Sequence, residues 1–222
     1  CAIGYPRFMK KLPRTLSALI LMACTSAYAE VRIEADQLVI SGKLTNKDAD
    51  DVVDAFNQQK LKKVIFRSSP GGEWSAGMRI GSFLIGKGIT TKAEGMCASA
   101  CAMAFLGGEH RVMSTVDPAS ILFFHAPYTP NDQQMVETLR FSVIGWIERR
   151  IGRTLPDKMK ESINTTDNPK GGIFFFSSAH PLIKNTDNTV FICSGKEDRV
   201  PFDCEKTDAF DVFSSGIVTA AP

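Results

Sequence analysis

The chain has 222 residues, 44% hydrophobic and 23% charged, with 26 Lys and Arg against 24 Asp and Glu for a formal net charge of +2. Four of the basic residues and none of the acidic ones fall within the first 29, so residues 30–222 carry a net charge of −2, which removes the basic excess that a nucleic-acid reading would rest on. Those 193 residues suffice for one domain with a substantial core, and they hold no repeat, long linker or low-complexity tract.

Residues 1–29 read as a signal peptide. Met9 is the expected start, with residues 1–8 an upstream extension; Lys10, Lys11 and Arg14 form a positive region, Leu16 to Cys24 are mostly apolar, and Ala27-Tyr28-Ala29 is a small-residue cleavage site before Glu30. The apolar run is too short to span a bilayer. Leu21-Met22-Ala23-Cys24 offers a competing lipobox reading with Cys24 as a lipidated anchor, against which stand Met22 at its second position and the clean site after Ala29. The expected location is a bacterial periplasm or the exterior.

In residues 30–222, strand and helix periods alternate, which predicts an α/β fold with several parallel pairings. Val31 to Leu44 reads as one or two strands, Asn46 to Gln59 as a helix burying Val52, Val53 and Phe56, and Lys63 to Arg67 as a buried strand ending at Ser69-Pro70-Gly71-Gly72. A helix follows from about Glu73 to Ile85, then a strand from Ile89 to Lys92, and a small-residue helix from Ala98 to Leu106 stopped by Gly107-Gly108. Arg111 to Met113 and Ile121 to Phe124 are strands, the second delivering His125 at its carboxyl end. Asn131 to Ile151 is a long amphipathic helix and Asp157 to Ile163 a shorter one; Ile173 to Phe176, Val190 to Ile192 and Val200 to Phe202 are the last strands. Residues 186–222 form a cysteine-containing hairpin and tail, expected to fray from Ser214.

Four cysteines follow the leader, and an oxidising compartment favours pairing them as sequence neighbours, Cys97 with Cys101 and Cys193 with Cys204. Residues four apart in a regular helix are poorly spaced for a disulfide, so the first pair requires a bend at the helix start.

Ser99 sits between those cysteines, among alanines, where a strand runs into a helix. Serine hydrolysis needs a hydroxyl beside a base, a group that orients the base, and donors aimed at the developing oxyanion. The Gly71-Gly72 turn, Ser99 and His125 supply such parts in that order, with the Ala100 amide and an amide of the glycine turn as oxyanion donors. Each has a plainer role: Ser99 as helix packing, Gly71-Gly72 as a simple turn, His125 as a strand-end residue bonded to backbone. His110 and His180 read as structural or solvated. Cys97, Cys101 and His125 make a poor zinc site, lacking the usual knuckle spacing and a fourth ligand, and export argues against a cysteine nucleophile because either thiol would oxidise.

At Ser69-Pro70-Gly71-Gly72, Ala98-Ser99-Ala100-Cys101 and His125-Ala126-Pro127 the chain resembles the proteolytic subunit of the Clp protease and its relatives in the ClpP/crotonase superfamily, over roughly residues 60–185. The resemblance implies repeated strand-strand-helix units in a single domain, Ser99 as nucleophile, His125 as general base, the amides of Gly72 and Ala100 as the oxyanion donors, and no cofactor. It also implies a peptide or unfolded-protein substrate and homo-oligomeric rings built through the long helix after the histidine. Among its branches the chain looks like the exported, cysteine-flanked ClpP-like proteins. Gly171, Gly172 and Ile173 stand where that family carries its aspartate, before Phe175-Phe176-Ser177-Ser178-Ala179; Asp167, a few residues early, is the candidate third member if its loop folds inward. No segment indicates docking to an ATPase. A silent member serving as a binding or assembly module, and acyl-CoA chemistry of the crotonase kind, are the competing functions; the second fits poorly with export.

Overall fold

A computed structural model describes residues 29–129, 136–178, 180–181, 183 and 189–221. Residues 1–28, with Cys24 and most of the leader, lie outside the described residues, as do Ala179 and the expected start of the long helix at Asn131. The elements are β1 (Glu30–Glu34), β2 (Gln37–Ser41), α1 (Asn46–Gln58), β3 (Lys63–Ser69), α2 (Trp74–Leu84), β4 (Thr90–Ala98), α3 (Ala100–Phe105), β5 (His110–Met113), β6 (Ile121–Phe124), α4 (Glu137–Ile151), α5 (Asp157–Thr165), β7 (Gly172–Phe176), β8 (Thr189–Cys193) and β9 (Glu205–Thr207).

One nine-stranded sheet collects every strand in the order β1-β2-β3-β4-β6-β7-β8-β9, with β5 also paired to β4. The pairings β2–β3, β3–β4, β4–β5 and β4–β6 are parallel and the two flanks antiparallel. The expected α/β class with several parallel pairings is what forms. The strand-strand-helix unit appears as β1-β2-α1 and again as β5-β6-α4, with strand-helix units between them. Alternate strand residues face opposite ways, so Leu122, Phe124, Ile173 and Phe175 enter the main core while Phe123, Phe174 and Phe176 build a smaller apolar cluster on the other side.

Helix starts are legible in local chemistry. Thr45 and Asp48 form a capping box at α1, the Asp48 carboxylate accepting from both the Thr45 amide and its hydroxyl at 2.6 Å. The alanines of α3 serve close packing: a side chain on Gly77 of α2 would collide with the Ala100 carbonyl, and one on Gly107 with Gly81, so α2 and α3 meet backbone to backbone. Arg150 of α4 donates to the Leu106 carbonyl at 2.9 Å, satisfying an oxygen the end of α3 leaves free.

Three expectations need correction. Val200–Phe202 is turn, and the strand that returns against β8 is Glu205–Thr207, because Pro201 has no N–H to give a ladder. The helix expected from Ala98 begins at Ala100, since β4 runs on through Ala98 and pairs with β6. The tail does not fray: Ile217 and Val218 are buried, and the Arg111 side chain donates to the carbonyls of Gly216, Ile217 and Gly108 at 2.8–2.9 Å. Burying a side chain of that size contributes about 2 kcal/mol.

Candidate active site

The segments singled out in the sequence meet at the carboxyl ends of the central parallel strands. Ala98 ends β4 opposite Phe123 of β6, and the Ser99 amide donates to the Phe123 carbonyl at 2.8 Å; His125 follows one residue beyond the end of β6. Neighbouring strands lie about 4.8 Å apart, so the serine and the histidine emerge from adjacent strand ends. Ser99 is the N-cap of α3 with φ 55° and ψ −122°. A side-chain-bearing residue in that region costs on the order of 1–3 kcal/mol, and a sharp strand-to-helix turn is what presents a hydroxyl at the top of a sheet.

The turn is braced from two directions. Cys97 on β4 and Cys101 on α3 are joined by a disulfide with Cα atoms 5.3 Å apart, which closes the bend around Ser99. Both expected disulfides are present, the second linking Cys193 to Cys204 beside β8 and β9. Opposite the first, Gly71 has φ +92° and lies so close that an added Cβ would come within 2.5 Å of the Ala98 carbonyl, 2.7 Å of Ser99 Cβ and 3.0 Å of the Ala100 nitrogen. Its backbone reaches there because the Leu44 amide donates to the Gly71 carbonyl and the Glu73 amide to the Leu44 carbonyl, at 2.7 and 2.9 Å. That bridge leaves the Gly72 N–H outside it. Neither the Gly72 nor the Ala100 N–H has a hydrogen-bond acceptor among the described residues, and the second is the first amide of a helix, which no intrahelical carbonyl can serve.

His125 Nδ1 lies 2.6 Å from the Ala126 carbonyl, which can only accept, so the neutral ring carries its proton on Nδ1 and exposes a lone pair on Nε2. The ring stacks on Phe123 and on Tyr128, with centroids 4.9 and 5.6 Å away. Burial pushes the His125 pKa below the usual histidine value, outweighing the opposite pull of the Ala126 carbonyl. Tyr128 in turn donates to the Thr166 carbonyl at 3.3 Å, and burial raises its phenol to about 12. Ser99 Oγ and His125 are not hydrogen-bonded to one another, and Ser99 Oγ has no partner among the described residues.

Asp167 is elsewhere. Its side chain is 66% exposed, and its carboxylate pairs with Lys196 at 3.5 Å, so the structure does not bring it to His125. In the region where the acid was expected, Gly172, φ +145°, lies against the end of β6, and a Cβ there would collide with the Phe124 carbonyl and come within 3.0 Å of His125 Cβ. Glycine is thus demanded where the resemblance led one to expect an acid. His110 is exposed on β5, and His180 sits edge-on to Phe176 at 4.9 Å.

Two features escaped the sequence reading. Beside His125 lies a cavity of about 380 Å³ walled by Pro70, Ala98, Phe123 and Phe174, the last two stacked at 3.9 Å, with Met96 and Lys170 among its lining residues. The alternation of Phe123 and His125 hinted at a shared side, but pairing with Phe174 required the β6–β7 register. A larger cavity of about 430 Å³ between α5 and β8–β9 contains Asp167 and is lined largely by charged residues.

No protein-family model and no curated protein matches the chain. Among solved structures it is similar to an Asn-to-Asp variant of ClpP1 from Listeria monocytogenes, at 17% identity and a TM-score of 0.41, over 60% of this chain and 79% of that one.

Proposed function

We propose that the protein is an ATP-independent serine peptidase-type hydrolase of ClpP-like fold, acting on peptides or unfolded segments outside the cytoplasm. The observation that carries it is Ser99 itself, held at positive φ on a doubly braced strand-to-helix turn next to the Ala100 amide, which, like that of Gly72, has no acceptor among the described residues. Placing a serine there costs stability that packing alone does not require.

In this reading Ser99 Oγ attacks a peptide carbonyl while His125 Nε2 takes its proton. The Gly72 and Ala100 amides receive the negative charge on the carbonyl oxygen. His125 then returns the proton to the leaving amine, and water attacks the acyl-enzyme by the same route in reverse. Ala126 and the two aromatic rings fix the tautomer and plane of the base, the part an aspartate plays in a triad. What they do not supply is a negative charge to stabilise the imidazolium, so the site is expected to be slow. Hydrogen bonds between nucleophile and base often tighten only with substrate bound. The two disulfides suit an oxidising compartment, and no described helix is long and apolar enough to cross a membrane.

A fluorophosphonate probe tests the assignment: it should label the wild type and not Ser99→Ala. Equal labelling of both, or of neither, overturns it. The exposure of Asp167 and its pairing with Lys196 favour a second reading, a silent homologue serving as an oligomeric binding module, which wins if Ser99→Ala fully complements a deletion.

A further inference from the structure

The cavity beside His125 has a chemistry of its own. Its walls are apolar: Phe123 and Phe174 are almost wholly buried, Ala98 leaves space, and Met96, 44% exposed, presents a flexible thioether. No carboxylate is among its described lining residues. Burial lowers the His125 pKa and so favours its neutral ring, and Lys170 is the one lysine or arginine among the described lining residues. Lys170 forms no ion pair with any described residue. It also stands on an anchored turn: its amide donates to Asn168 Oδ1 at 2.9 Å, Gly171 closes onto the Asn168 carbonyl, and Asn168 Nδ2 reaches the Gly195 carbonyl at 3.0 Å.

Resting on the Ser99–His125 reading, we propose that this cavity receives an apolar substrate residue and that Lys170 selects for a carboxylate next to it. The cavity adjoins each part of the site: Ala98 precedes the nucleophile, Pro70 precedes the Gly71-Gly72 turn, and His125 lies in its wall. An apolar side chain placed here leaves its own peptide carbonyl close to Ser99. The carboxylate has two sources, an Asp or Glu neighbouring the apolar residue or the free end of a peptide chain.

Calorimetry with full-length Ser99→Ala separates these without turnover. The probes are acetyl-Ala-Ala-Leu-Glu-Ala-amide, its Gln isostere, and acetyl-Ala-Ala-Leu as free acid and as amide. At low salt the Glu peptide, the free acid, or both should bind about fivefold tighter than the neutral counterpart, the upper range for an exposed pair. That preference should shrink as salt rises and invert against a Lys-containing peptide in Lys170→Glu. Replacing the Leu by Ser should cost about tenfold or more. Equal binding of all four probes, binding of none, or a preference that Lys170→Glu leaves intact overturns the proposal. Lys170 is exposed and lies outside the core, so its variants fold. Discrimination without fluorophosphonate labelling of the wild type would keep the subsite and sink the hydrolase; labelling without discrimination would do the reverse.

Discussion

His125, the base of the proposed mechanism, is buried and pairs with no carboxylate among the described residues, and that environment sets its pH dependence. Burial lowers the folded pKa, so the ring gives up its proton more readily than an ordinary histidine and the acid limb of hydrolysis should be displaced to lower pH. Stability follows the same sign: a depressed pKa means the unfolded chain binds the proton more readily, so stability is intact above pH 6.5 and falls as pH drops from there toward the folded value. A pH–rate profile of peptide cleavage with an acid limb at or above 6.5 would contradict this. Asp167→Asn is expected to leave the rate within about twofold, since the carboxylate it removes is exposed and bound to Lys196; a fall of orders of magnitude would restore Asp167 to the triad. Ser99 and His125 were readable from residue type and order, whereas the exclusion of a side chain at Gly172 was not, because it depends on how closely that residue approaches the β6 backbone.

The strand-to-helix turn is where three elements act on one residue. β4 delivers Ser99, α3 receives it, and the loop after β3 presses Gly71 against it. Gly71→Ala must strain the backbone and collide with the Ala98 carbonyl, so it should lower the unfolding midpoint by the equivalent of about 2 kcal/mol and abolish probe labelling. Chemical denaturation with parallel labelling checks both; full labelling would show that the turn tolerates displacement. Cys97 and Cys101 are wholly buried, so a mild reductant should not open the bridge in the native protein. Replacing both by Ser is expected to cost about 2 kcal/mol and to slow labelling of Ser99, because the constraint on the turn is lost. Unchanged stability and labelling would mean the brace is incidental. The pairing followed from sequence proximity, but its fit did not: the bend it needs exists because β4 ends at Ala98 and the chain reverses through Ser99.

Across the whole molecule, the end of the chain is part of the fold. The Thr219 and Ala220 amides donate to the Arg111 carbonyl, while the Arg111 guanidinium caps three carbonyls in return and burial lowers its pKa to about 10. Arg111→Ala leaves those buried carbonyls unpaired and should destabilise the protein by about 3 kcal/mol, measured by urea unfolding; a change under about 0.5 kcal/mol would mean the tail is only loosely docked. The composition of that tail, small and polar, gave no sign of this, since burial of Ile217 and Val218 depends on the edge of β5 being open to receive them. By itself the sequence determined the alternation of strands and helices and the identity of a serine and histidine placed at strand ends, and it suggested the two disulfide pairs that the structure holds, because these follow from local periodicity and short separations. Tertiary structure alone decided which glycine presses on the turn, that no carboxylate of the described residues pairs with His125, and that an apolar cavity with a lysine among its lining residues lies beside it. Each of those depends on segments tens of residues apart being set in register by the sheet, and register is a property of pairing that no local pattern records.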